Sequence, residues 1–132
     1  MELINLRVSA ATTDSEKMQF IRFPWRVYKG DPYWVPPLIG DRKAMFDPKK
    51  NPSLEHMEVA LFLASAFIKR ADTTLTPDMP LASLQSEVVG TIAAIINHRH
   101  NEFHNEQVGF FGFFECLNDP QVATALLDTA CE

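Results

Sequence analysis

Cysteine is scarce in this sequence. Cys116 and Cys131 are the only two among 132 residues. That is too few for a disulfide scaffold or a cysteine zinc site, and a reduced, cytoplasmic setting is expected. No stretch approaches 18 consecutive apolar residues, so no helical membrane span is expected. Met1-Glu2-Leu3-Ile4-Asn5 is not the basic segment followed by an apolar one that opens a secretory signal. Cations are scarce in the second half. Residues 71–132 hold one, Arg99, against nine Asp and Glu, whereas residues 1–70 hold eleven Lys and Arg against eight acids. Such asymmetry fits a partner surface, or basic sequence missing from the far end. The net charge of −5 argues against a general nucleic-acid binder. There is no Walker A loop, G-x-S-x-G elbow, H-E-x-x-H or C-x-x-C. Apolar residues, in contrast, are plentiful. They make up 46% of the chain against 22% charged, enough for one ordinary core without disulfides or metals.

Residues 2–8 alternate polar and apolar, as a half-buried strand does. Thr13-Asp14-Ser15-Glu16 fits the capping box of a helix start. Met18, Ile21, Trp25 and Tyr28 then form a helical stripe. Pro24 falls inside it and is expected to kink or split the helix, because it has no N–H for the ladder. Gly30 ends the element. Asp31-Pro32-Tyr33-Trp34-Val35-Pro36-Pro37 reads as extended and rigid, with a short helix following near 38–46. Asp47-Pro48 and Asn51-Pro52 mark turns. Residues 57–70 read as a buried strand and residues 71–86 as a surface loop inside a hairpin. A second core strand spans 87–97, a polar loop 98–106 and a third strand 107–116. Asp119-Pro120 supplies an N-cap with proline at the first helical position, and Val122, Leu126, Leu127 and Ala130 form the stripe of a last helix. No capping residue closes that helix before Glu132, so the chain reads as truncated within it. The whole is α+β: a mostly antiparallel sheet with helices packed on it, in the order strand-helix-helix-strand-strand-strand-helix.

Three segments are candidates for chemistry. The first is the junction from Gly109 to Thr124. By simple alternation Phe110, Gly112 and Phe114 share one face of the strand, and Phe111 and Phe113 the other. A strand this apolar must be covered on both sides. It is either a central core strand with a bulge or a platform approached by a ligand at Gly109 and Gly112, with the following helix start offering N–H groups to a phosphate. Glu115, at the end of this strand, is either a general base or a solvent-facing carboxylate. The second is His98-Arg99-His100-Asn101-Glu102-Phe103-His104. Its H-x-H-x-x-x-H spacing matches no zinc signature, and no metal is expected. A general-base role for His100 or His104 turns on geometry. The third is Phe23-Pro24-Trp25-Arg26 with the Tyr33 to Pro37 stretch. It is either a lid over a ligand or a pair of tryptophan anchors for the helical layer, and the anchors are the simpler reading. Arg42-Lys43 and Lys49-Lys50 read as solvated faces.

The element order, and the apolar strand that runs into a helix with Ala123-Thr124-Ala125-Leu126-Leu127, resemble the N-terminal half of a GNAT (acetyl-CoA-dependent N-acyltransferase) fold. Phe23-Pro24-Trp25-Arg26, Asp31-Pro32-Tyr33-Trp34-Val35-Pro36-Pro37-Leu38, Asp47-Pro48-Lys49-Lys50-Asn51-Pro52 and Gly109-Phe110-Phe111-Gly112-Phe113-Phe114-Glu115 resemble stretches of a bacterial GNAT-like group. The resemblance implies that residues 1–132 are the N-terminal portion of one GNAT-like domain, continuing into further strands. It implies that acetyl-CoA or another acyl-CoA lies against the strand, with the backbone of Phe114 and Cys116 facing the pantetheine. The diphosphate would lie at Val122, Ala123 and Thr124. An amine, small-molecule or peptide, would attack the thioester directly, with a backbone N–H polarising the carbonyl. In the superfamily's Q/R-x-x-G-x-G/A loop, the Q/R falls here on Asn118, the middle Gly on Gln121 and the last position on Ala123. Only the last agrees. The resemblance therefore also admits a catalytically inactive GNAT-like structural or interaction domain with a degenerate CoA loop. As a fragment, the chain is expected to expose a strand edge open to self-association. No nucleic-acid or membrane partner is expected.

Overall fold

The computed structural model describes residues 2–69 and 86–132. The surface loop expected at 71–86 lies almost wholly outside them. The order is β1 (Glu2–Ala10), α1 (Asp14–Val27), α2 (Ile39–Met45), a 3-10 turn (Pro52–Glu55), β2 (Met57–Lys69), β3 (Ser86–Asn97), α3 (His98–His104), β4 (Phe110–Cys116) and α4 (Pro120–Cys131). The strands form one antiparallel sheet in the order β1-β2-β3-β4. The fold is thus α+β, as the patterning predicts. Among the described residues no helix is long and apolar enough to cross a membrane.

Local chemistry accounts for the helix ends. Thr13 Oγ1 accepts from the Glu16 N–H at 3.1 Å, and Glu16 Oε1 accepts from the Thr13 N–H at 3.1 Å. Those bonds, the Thr13 backbone first, hold the Glu16 carboxyl below its ordinary range. α1 runs unbroken through Pro24, contrary to the expected split. Gly30, with φ of 89°, turns the chain out of the helix in a conformation that side chains resist. Asp119 caps α4, its Oδ1 accepting from the Gln121 N–H at 2.9 Å, with Pro120 at the first turn. Residues 98–104 are α3 rather than loop. The Asn97 side chain accepts from the His100 N–H at 3.1 Å, and Asn105 closes the helix in the left-handed region.

Two cores lie on opposite faces of the sheet. Phe20 of α1 packs with Ala11, Leu61, Leu63 and Ala93. Val122 and Leu126 of α4 pack with Ala64, Ala66, Ile68, Val89 and Ile92. Ile92 and Ala93 are neighbours in β3 yet belong to different clusters, as alternation along a strand requires. α1 and α4 therefore sandwich the sheet.

α4 sits close on β3 because Gly90 has no side chain. A Cβ built there would lie 2.7 Å from Leu126 Cδ1 and 2.9 Å from Val122 Cγ1. Both neighbours are fully buried. Gly90→Ala is expected to cost about 1–3 kcal/mol by overpacking. The check is the midpoint of urea unfolding.

β4 is bulged. Thr91 pairs with Glu115 and Ala93 with Gly112, so Ile92 alone faces both Phe113 and Phe114. Phe113 takes φ of 52°, rare for an aromatic residue. The bulge changes which side chains share a face. Phe110 and Gly112 lie opposite Ile95 and Ala93, on the α1 side. Phe113 joins them there, packed with Phe20 and Phe46 at 6.2 and 5.2 Å between ring centres. Phe114 and Cys116 pack on the α4 side, and Phe111 meets Phe114 with rings 6.4 Å apart. The simple alternation expected for this strand is corrected accordingly.

Candidate functional site

The bulge leaves the Phe113 carbonyl to a side chain. Thr91, the one buried polar residue among those described, donates its hydroxyl to that oxygen at 2.8 Å. This bond satisfies a carbonyl taken out of the ladder and holds the bulge in place. Phe113 also lies beneath the Arg42 guanidinium, 5.0 Å from the ring centre. Arg42 thus covers an aromatic face rather than standing in solvent.

Beyond the bulge, Glu115 turns toward the α1 side. Tyr28, the residue that caps α1, donates its hydroxyl to Glu115 Oε2 at 2.8 Å. Trp34 stacks on Tyr28, 5.2 Å between ring centres and 18° between planes. Trp25 meets Trp34 edge-on at 5.4 Å. The two tryptophans thus pack on each other and on Tyr28 within the helical layer. Trp34 also lines a small cleft of about 90 Å³ between α1, α2 and β4. Phe20, Pro24, Pro37 and Phe46 are other apolar walls, and Thr91, Arg42 and Glu115 are the polar groups. A few polar groups converging in an apolar cleft is the arrangement expected of a site that orients a ligand. The Tyr28 hydroxyl is held above its ordinary pKa by its hydrogen bond to Glu115, then by burial, then by the negative charges of Glu115 and Asp31.

The predicted cofactor residues divide into two groups. Cys116 and Ala123 line one open groove of about 490 Å³ together with Arg26, Leu117 and Asp119. Phe114 is half-buried on the α4 side, Val122 is fully buried beneath α4, and Thr124 is exposed. Burial, then Glu115 and Asp119, push the Cys116 thiol up, away from the reactive thiolate. β4 is the last strand of the sheet, not a central one, and its outer edge pairs with no other strand among the described residues. The start of α4 does not fit a diphosphate. Pro120 has no N–H. The Gln121 N–H is taken by the Asp119 carboxylate, and those of Val122 and Ala123 point to the Asp119 carbonyl at 3.1 and 3.4 Å. The capping carboxylate also sets a negative charge where an anion would lie.

The histidines of α3 make local contacts. His100 Nε2 lies 2.9 Å from Glu106 Oε1, His98 lies 3.4 Å from Glu58, and the His100 and His104 rings are 4.5 Å apart. Among the described residues no three His, Cys, Asp or Glu side chains converge as metal donors.

Sequence reasoning found Glu115 and missed Tyr28, Arg42 and Thr91. Tyr28 reads as one more member of the α1 stripe. Its polar tip at a helix end was the available signal, since a part-buried tyrosine hydroxyl usually finds a partner. Arg42 and Thr91 carry no local signal, because their partners lie in β4.

No protein-family model matches the chain, and no solved structure matches it. The chain is similar to Protein YghO of Escherichia coli (strain K12), 32% identical over 111 residues, which is 84% of this chain and 24% of that protein. It is also similar to Bacterial ceramide synthase of Caulobacter vibrioides (strain NA1000 / CB15N), 41% identical over 61 residues, 46% of this chain and 16% of that protein. The chain spans about a quarter or less of the length of these curated relatives.

Proposed function

We propose that this chain is part of a GNAT-like N-acyltransferase, which moves an acyl group from acyl-CoA to an amine. The observation that carries the reading is the end of the sheet. β4 has an edge without a strand partner among the described residues, is bulged at Phe113, and leads directly into a packed helix. The similarity to a bacterial ceramide synthase supports it. A ceramide is the amide of a fatty acid and a long-chain amino alcohol, so making one is an N-acylation.

The thioester supplies an activated carbonyl, and the chain's own residues handle the amine. Glu115 is the candidate proton acceptor, because it stands in an apolar cleft beside the open strand edge. Tyr28 holds the carboxylate by one oxygen and leaves the other available. Thr91 fixes the backbone that aims Glu115. No role is assigned to the start of α4 in holding a diphosphate, since its N–H groups are already spent.

That same observation favours a second reading, a catalytically inactive GNAT-like domain that serves in packing or interaction. Titration of the intact protein with acetyl-CoA and a long-chain acyl-CoA separates the two. The acyltransferase reading expects a rise in thermal midpoint that grows with ligand, reaching about 2.7 kcal/mol of stabilisation at a hundred times the Kd. No rise with either thioester would leave only the second reading.

A further inference from the structure

The link between α1 and α2 shows its side chains in two directions. Trp34 and Pro37 line the Glu115 cleft. Tyr33, Val35 and Leu38 point away and are 91%, 83% and 71% exposed. Large apolar side chains this open are uncommon in a cluster. Pro32, Pro36 and Pro37 stiffen the segment, and Asp31 Oδ1 accepts from the Tyr33 N–H at 2.9 Å. The apolar tips are therefore held out at little entropic cost.

The charge of the sequence on either side of them is unlike that of the rest of the chain. Residues 17–50 hold eight Lys and Arg against three Asp, an excess of five cations. The remaining residues hold four against fourteen, a deficit of ten. Lys29, Lys43, Lys49 and Lys50 are exposed. Three side chains fall short of the about 800 Å² per partner that a stable protein interface needs. A few apolar tips in a stretch of sequence rich in exposed lysines are what a negatively charged bilayer surface takes up.

We propose that the α1–α2 link docks this protein on an anionic lipid surface, with Tyr33, Val35 and Leu38 entering the headgroup region and Lys29, Lys43, Lys49 and Lys50 drawn to the lipid charge. The docking goes beyond the acylation reading and stands without it. Where that reading also holds, the segment that meets the membrane is the one that lines the Glu115 cleft through Trp34 and Pro37, and an amine with a long hydrocarbon tail would be presented close to it.

Sedimentation with vesicles tests the docking directly, with no activity required. The intact protein is expected to pellet with phosphatidylglycerol–phosphatidylcholine vesicles, and far less with phosphatidylcholine alone or in 0.5 M salt, a concentration on the order of that which screens such attraction. Trp25 and Trp34 are the two tryptophans of these 132 residues, one beside the link and one in it, so their emission should shift to the blue on binding. The triple variant Tyr33→Ser, Val35→Ser and Leu38→Ser should weaken binding by about tenfold or more while keeping the wild-type thermal midpoint. Equal pelleting of wild type and triple variant, or no preference for the anionic vesicles, would overturn the proposal. So would a dimer in gel filtration that the triple variant turns into a monomer, for the patch would then be an interface between copies.

Discussion

Glu115→Gln is expected to lower kcat/KM for amine acylation by the intact protein about 10²- to 10⁴-fold, the range over which a general base usually contributes. The substitution keeps the size of the side chain and an oxygen able to accept from Tyr28, so the fold should be unchanged. The same variant has a readout that needs no turnover. Tyr28 is held above its ordinary value of 10.0 first by the hydrogen bond to Glu115. Without the carboxylate charge, the tyrosinate absorbance of Tyr28 should appear at lower pH than in wild type. The stability consequence has a definite sign. A raised tyrosine pKa means that the unfolded chain loses its proton first on the alkaline side. The contribution of Tyr28 is complete below pH 10.0 and falls as pH rises through the folded-state value. In Glu115→Gln that loss should still begin near pH 10.0 but be smaller and complete at lower pH. Unchanged kcat/KM with a shifted Tyr28 titration would remove Glu115 as the base and keep the geometry.

Leu126→Ala is expected to cost about 2–5 kcal/mol, a large share of the about 5–15 kcal/mol that holds an ordinary domain together. Leu126 is fully buried in the cluster that joins α4 to Ala64 and Ile68 of β2 and to Val89 and Ile92 of β3. Its removal leaves a cavity beneath the helix that follows β4. Urea unfolding followed by circular dichroism measures the loss. The pairing with Gly90 makes the prediction sharper. Leu126 Cδ1 is the nearest of the atoms a Cβ at residue 90 would strike. The penalty of Gly90→Ala should therefore be smaller in the Leu126→Ala background than in wild type, and additivity would mean that the clash is not its cause.

Much of this architecture is written locally. Thr13 and Glu16 announce α1, Asp119 and Pro120 announce α4, and the apolar runs around Leu61 and Ile92 announce two strands of a hairpin. Each signal is a hydrogen bond or an apolar period closed within a few residues, so a sequence displays it without knowing what lies elsewhere. α3 is the local failure. Its polar histidine-rich stretch has no apolar period, and only the caps at Asn97 and Asn105 mark it.

The sequence by itself determined the α+β order, the helix starts and the presence of a carboxylate, Glu115, at the end of a phenylalanine-rich strand. Only the tertiary structure decided where that carboxylate points and what it meets. The two-against-one bulge opposite Ile92 resets the faces of β4, and bulges arise from register with a neighbouring strand, not from the strand's own composition. Tyr28 and Glu115 are 87 positions apart, and Arg42 reaches Phe113 from a different layer. Such pairs exist because α1 and α2 pack on one face of the sheet, so their geometry is set by the packing of the whole chain.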